Sequence, residues 1–104
     1  MKPLFSNVGI VGAGAMGRGI AQMAVLAGSN VLLFDTQLDA TRAAQSAVFS
    51  QWDKLCEKGR LDASQVALYK SRLQCANALA GLSGCDLTVE AVLERLDVKP
   101  KFLS

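Results

Sequence analysis

Four short apolar runs recur along the chain, each bounded by polar residues or glycine, with stretches of helical period between them. Val8 to Val11 is the first, Val31 to Phe34 the second, Leu73 to Leu79 a shorter third, and Asp86 to Ala91 carries the fourth. Near-continuous runs of this kind are the mark of parallel strands covered on both faces. Between the first two, Ile20, Met23, Ala24 and Ala27 recur at helical spacing, and Gly28 stands where a helix ends. After the second, Thr36 is placed to cap a helix beginning near Gln37, with Leu38, Ala40, Ala43, Ala44, Ala47, Val48, Trp52 and Leu55 on its apolar face. That pattern stops near Lys58-Gly59. Asp62 offers a second cap for Ala63 to Leu73, where Val66, Tyr69 and Leu73 share one side. Ala80 to Gly84 reads as a loop or a single turn. Beyond the fourth run, Asp97 is placed to cap a helix starting at Val98, with Pro100 in its first turn, where a missing N–H costs nothing. Right-handed crossovers then predict a parallel sheet of order 3-2-1-4, with the fourth strand at a bare edge.

The junction of the first run and the first helix carries the chemistry. Gly12, Gly14 and Gly17 have the Gly-x-Gly-x-x-Gly spacing, and Asp35 ends the second run about 20 residues later. Gly12 allows a sharp turn off the strand, Gly14 lets the backbone approach a pyrophosphate, and Gly17 lets the helix pack closely. The helix starting near Ala15 turns its free N–H groups and positive dipole end towards phosphate oxygens. Asp35 can accept hydrogen bonds from ribose hydroxyls and would repel a 2′-phosphate, which favours NAD over NADP. Small-residue turns match the spacing by chance, and a strand-end carboxylate is often merely solvated. Here a strand precedes the turn, a helix follows it and a second strand ends in the acid, which is the context a dinucleotide site requires. The fold class expected is α/β, a Rossmann-like doubly wound parallel sheet.

Composition narrows the partners. The 104 residues suit one domain, and an apolar fraction of 51% is ample for its core. The net charge of +2 comes from 11 basic and 9 acidic residues mixed along the chain, without a basic stripe, so nucleic acid is not an expected partner. Charged residues interrupt every apolar stretch short of membrane-spanning length. No signal peptide is visible, and the expected location is the cytoplasm. Cys56, Cys75 and Cys85 fit no zinc or redox spacing, and with no histidine in the chain a Cys/His metal site is excluded. The same absence removes any imidazole general base from these residues.

Two stretches resemble the 3-hydroxyacyl-CoA dehydrogenase family: Gly12-Ala-Gly-Ala-Met-Gly-Arg-Gly-Ile-Ala21, and Asp86-Leu-Thr-Val-Glu-Ala-Val-Leu-Glu-Arg-Leu-Asp-Val-Lys99. The first is shared with other β-hydroxyacid dehydrogenases; the second is more specific. The resemblance runs from about residue 7 to the end of the sequence. It implies that Gly12, Gly14, Ala15, Met16 and Gly17 form the pyrophosphate turn, that Asp35 binds the adenosine ribose, and that Glu94 and Lys99 lie near the nicotinamide half of NAD.

The same resemblance implies a parent enzyme that oxidises a 3-hydroxyacyl-CoA to a 3-oxoacyl-CoA. The family's catalytic His–Glu pair lies downstream of the matched stretch, as does a helical domain for dimerisation and acyl-CoA binding. No catalytic residue is therefore expected among residues 1–104. They are expected to be the N-terminal part of a cofactor domain cut from a longer homo-oligomeric enzyme of fatty-acid or related metabolism, inactive alone. A stand-alone NAD-binding sensor, another β-hydroxyacid dehydrogenase and a flavin enzyme are the alternatives.

Overall fold

The computed structural model of the protein describes residues 6–92 and 95–100. Strands β1 (Asn7–Val11), β2 (Asn30–Phe34), β3 (Leu73–Cys75), β4 (Leu87–Val92) and β5 (Arg95–Pro100) form one sheet of order β3-β2-β1-β4-β5. The first four run parallel. Helix α1 (Ala15–Leu26) links β1 to β2, and α2 (Leu38–Glu57) and α3 (Ala63–Arg72) link β2 to β3. A 3-10 turn at Leu79–Leu82 precedes β4. The chain is thus α/β with parallel order 3-2-1-4, as the crossover rule requires.

The alternation of side chains along a strand divides the interior into two cores. Val8, Ile10, Val31, Leu33, Leu73 and Val89 face the helices and pack with Ala21, Val25, Ala44, Val48, Trp52 and Val66. Phe34 faces the other way, onto Ala76, Leu82 and Cys85, with Val11 and Leu32 against them. Gly9 is what lets the 3-10 turn lie on β1, since a Cβ there would be 3.1 Å from Cys85 Sγ and 3.3 Å from Leu82 Cβ.

The helices bury slightly different stripes from those the sequence pattern predicts. In α1 the buried residues are Gly17, Ala21 and Val25, one i, i+4 row. Ile20 and Ala24 only flank it, and Met23 is exposed. In α2 the row is Thr41, Ala44, Val48 and Trp52, while Leu38, Ala43 and Ala47 are exposed. Thr36 does not cap α2; the cap residue is Gln37, whose amide donates to Asp35 Oδ1 at 2.9 Å. Asp62 does cap α3, in a capping box with Gln65, whose Oε1 accepts the Asp62 amide at 2.9 Å. Trp52 sits between Phe49 and Tyr69 and joins α2 to α3.

Two strand expectations need correction. The third strand ends at Cys75 rather than Leu79. The helix expected from Val98 with Asp97 as its cap is instead β5, antiparallel to β4 with Val98 opposite Val89, so the edge expected to be bare is paired. A helix of one or two turns does not recover its nucleation cost, whereas a strand here gains ladder bonds along β4. Leu96 and Val98 alternate with Arg95, Asp97 and Lys99, the period of a strand, and Pro100 falls at the end of an edge strand, where proline is tolerated.

At the amino end of the sheet, Asp86 Oδ2 accepts the amides of Ser6 and Asn7, each at 3.0 Å, and so ties the starts of β1 and β4 together. Among the described residues no helix is long and apolar enough to cross a membrane, and no cluster of His, Cys, Asp and Glu could hold a metal.

Candidate functional site

At the carboxyl ends of the strands the order turns on β1, with β2 on one side and β4 on the other. This is the switch point where open α/β sheets bind ligands. A cleft of about 390 Å³ opens there, lined by Gly12, Ala13, Gly14, Ala15, Met16 and Asp35 together with Val11, Thr36 and Ala91.

The three glycines do different work. Gly12 has φ 117° and a Cβ there would stand 2.1 Å from the Ala91 carbonyl oxygen, so neither conformation nor space admits a side chain. Its amide donates to the Phe34 carbonyl at 2.7 Å, fixing the turn to the end of β2. A Cβ on Gly17 would lie 1.9 Å from the Gly12 carbonyl oxygen. Gly14 is the opposite case: its backbone is ordinary, with φ −77° and ψ −171°, and a Cβ would meet nothing within 4 Å. Among the described residues, none fills the space over Gly14. A pyrophosphate needs that space, so the turn fits the cofactor its glycine spacing predicts.

Gly14 is also the N-cap of α1, without a side-chain cap and with no acidic residue in the first turn. Among the described residues no side chain caps the first amides of the helix, an arrangement suited to an anion.

Asp35 faces this turn from the end of β2. Its Oδ2 accepts the Ala13 amide at 2.9 Å and its Oδ1 accepts the Gln37 amide at 2.9 Å. These bonds, from Gln37 first and then Ala13, hold its carboxyl below the ordinary aspartate range, with burial opposing. A carboxylate offers about four lone-pair positions, and the two amides leave capacity for ribose hydroxyls. The Thr36 hydroxyl also donates to Asp35 Oδ1, at 3.5 Å, and Arg18 Nε donates to the Ala13 carbonyl at 3.2 Å.

The structure brings Gly12, Gly14, Ala15, Met16 and Asp35 to one cleft, with Gly17 directly beneath the turn. Glu94 lies outside the described residues. Lys99 is not in a loop at the carboxyl end of β4; it pairs with Thr88, four residues back from Val92 along that strand, or roughly 13 Å at the strand rise. Sequence reasoning missed Ala91, whose carbonyl walls the turn, and Arg18, although Arg18 follows the third glycine directly. The three cysteines are free; burial pushes the Cys75 and Cys85 thiols up, so both stay protonated at neutral pH.

Comparison with known proteins points to the same fold and the same cofactor. The family model for the NAD binding domain of 3-hydroxyacyl-CoA dehydrogenases matches residues 7–104. A 3-hydroxybutyryl-CoA dehydrogenase of Bradyrhizobium diazoefficiens is 33% identical over 101 residues, which cover 97% of this chain and 34% of that protein. The 3-hydroxyadipyl-CoA dehydrogenase of Escherichia coli is 34% identical over 93 residues, 89% of this chain and 20% of that protein. Among solved structures, 3-hydroxybutyryl-CoA dehydrogenase from Escherichia coli superposes with a TM-score of 0.82 at 31% identity, covering 88% of this chain and 19% of that one. The (S)-3-hydroxybutyryl-CoA dehydrogenase from Ralstonia eutropha gives 0.81 at 34% identity, covering 88% and 32%. The chain spans about a third, or less, of the length of these relatives.

Proposed function

As the chain belongs to the 3-hydroxyacyl-CoA dehydrogenase family, whose NAD-binding domain it carries, we propose that the cleft over Gly14 holds the pyrophosphate of NAD. Asp35 then holds the adenosine ribose, and the backbone of Gly12, Gly14, Ala15 and Met16 lines the phosphate path. The observation that carries this reading is the empty space over Gly14, set between a turn closed to side chains at Gly12 and Gly17 and an ionised Asp35. Glu94 and Lys99 enter on the family motif alone, and for Lys99 the register of β5 stands against it. Unaltered NAD affinity in Lys99→Ala would remove Lys99 from the site.

In the parent protein these residues form the N-terminal part of the cofactor domain, and a helical domain beyond them binds the acyl-CoA and pairs the subunits. The reaction is oxidation of a 3-hydroxyacyl-CoA to the 3-oxoacyl-CoA. Bound NAD supplies the hydride acceptor. This chain contributes binding and orientation. Its 104 residues contain no histidine to take the hydroxyl proton. The parent works in acyl-CoA metabolism, in the cytoplasm.

Titration calorimetry of the 104-residue protein with NAD and NADP tests the binding site. NAD binding with weaker NADP binding is expected, and equal affinities would take Asp35 out of the ribose site. An assay of NADH formation from 3-hydroxybutyryl-CoA tests the division of labour. No turnover is expected from this chain, and protein-dependent turnover would demand a catalytic base within it.

A further inference from the structure

We propose that Arg18 is a positioning residue: through its side chain it locks the Ala13–Gly14 peptide, so that the Gly14 amide keeps one orientation towards the dinucleotide. The inference rests on the reading of the cleft as a pyrophosphate site.

Three consecutive peptide planes cross this turn, and among the described residues each is held by a hydrogen bond. The Gly12–Ala13 plane is held through the Ala13 amide, on Asp35 Oδ2 at 2.9 Å. The Ala13–Gly14 plane is held through the Ala13 carbonyl, on Arg18 Nε at 3.2 Å. The Gly14–Ala15 plane is held through the Gly14 carbonyl, on the Arg18 amide at 3.0 Å. Arg18 thus serves two of the three, one with its backbone and one with its side chain.

The middle plane is the one that most needs a lock. A peptide group turns over by opposed rotations at the residues on either side of it, here ψ of Ala13 and φ of Gly14. Gly14 has no Cβ to resist that rotation, and among the described residues no atom beyond its chain neighbours and its own helix backbone lies within 4 Å of where one would be. Because the peptide is planar and trans, the Gly14 N–H points opposite to the Ala13 carbonyl. Holding the carbonyl on Arg18 therefore aims the amide away from Arg18. Turning the plane over would present a carbonyl oxygen where the amide had been and set its partial negative charge against a phosphate. The glycine that makes room for the ligand also makes the turn loose, and Arg18 removes the looseness.

A donor at the ε position is what this role requires; a positive charge is not. Glutamine carries its amide nitrogen the same number of bonds from Cα as the arginine Nε. Methionine has similar length and no donor, and lysine keeps the charge with a methylene at that position. The experiment compares Arg18→Gln, Arg18→Met and Arg18→Lys with the parent sequence in calorimetric titrations of NAD, ADP and adenosine, with thermal unfolding alongside. Arg18→Met should weaken NAD and ADP roughly tenfold, the scale of one hydrogen bond, while adenosine binding and the unfolding midpoint hold. Arg18→Gln should restore both affinities to within about twofold on the same scale.

Wild-type affinity in Arg18→Lys combined with loss in Arg18→Gln would overturn the proposal, since charge on the phosphate would then be the role. Unchanged affinity in Arg18→Met would overturn it too, as would equal loss of adenosine binding with a lowered midpoint. A readout without ligand separates this inference from the reading of the cleft. The Gly14 amide resonance should be sharp in the unsubstituted chain and in Arg18→Gln, and broadened by exchange in Arg18→Met. A sharp resonance in Arg18→Met overturns the lock whether or not NAD binds, whereas failure of the unsubstituted 104-residue protein to bind NAD or ADP overturns only the cofactor site.

Discussion

Gly17 lies so close beneath Gly12 that a methyl group on it would stand 1.9 Å from the Gly12 carbonyl oxygen. The other partner of Gly12 is just as near, with the Ala91 carbonyl 2.1 Å from where a Cβ would be. The turn is thus pressed between the first turn of α1 and the end of β4. Gly12→Ala and Gly17→Ala should each destabilise the fold by about 1–3 kcal/mol, the usual cost of overpacking, with strained backbone added at Gly12. Urea unfolding of the two variants measures this, and midpoints at the wild-type value would show that the turn relaxes without cost.

Gly14→Val should behave differently. Its side chain enters open space at an ordinary backbone conformation, so the unfolding midpoint should fall little, by about 1 kcal/mol for a poorer N-cap. NAD binding should be lost. Circular dichroism and calorimetry on one sample separate the two effects, and retention of NAD affinity would mean that the dinucleotide takes another path.

Asp35 should set the preference for NAD. Two like charges about 4 Å apart at an effective dielectric near 20 repel by roughly 4 kcal/mol before solvent relaxes, so a 2′-phosphate beside Asp35 is strongly opposed. Asp35→Asn should narrow the NAD to NADP affinity ratio by about tenfold or more, or about 1.4 kcal/mol. An unchanged ratio in paired titrations would place the ribose elsewhere.

The same carboxylate makes stability depend on acid. The Gln37 and Ala13 amides hold its folded pKa below the unfolded value. The stability it contributes is therefore fully present above the unfolded pKa, near 4, and is lost as pH falls through the folded value. Denaturant midpoints taken from pH 6 down to pH 2 should fall more steeply for the unsubstituted chain than for Asp35→Asn. Parallel curves would contradict the bonding seen at Oδ1 and Oδ2.

Trp52 is the single tryptophan and is 1% exposed. Trp52→Ala should cost about 3–5 kcal/mol, a large share of the stability of a small domain. In the unsubstituted 104-residue protein its emission should shift to the red in one step with the unfolding of both helices it joins. A red emission before denaturant is added would show that the α2–α3 contact is open in solution.

Much of this was legible because it is local. The Gly12–Gly17 spacing, the strand before it and Asp35 after it are each fixed by short-range geometry, and the sequence pattern places all of them. What it missed depends on partners far along the chain. Local preference places the cap of α2 at Thr36, yet the Gln37 amide goes to Asp35, which the Ala13 amide holds in place from 22 positions away. Residues 95–100 carry the cap and proline signals of a helix start, but the open edge of β4 turns them into a strand. The error on α1 was one of phase: Gly17 had to lie against the turn, which rotates Ala21 and Val25 inward and leaves Met23 in solvent.

The bonds around Ala13 and Gly14 have a consequence for the speed of recognition. On the proposed lock, the ordering of this loop is completed when the chain folds, so an arriving dinucleotide has no segment to organise. Association should then proceed at a single rate set by diffusion and orientation, with no slower phase that levels off as ligand is raised. Differences in affinity among related ligands should accordingly appear in how long each one stays.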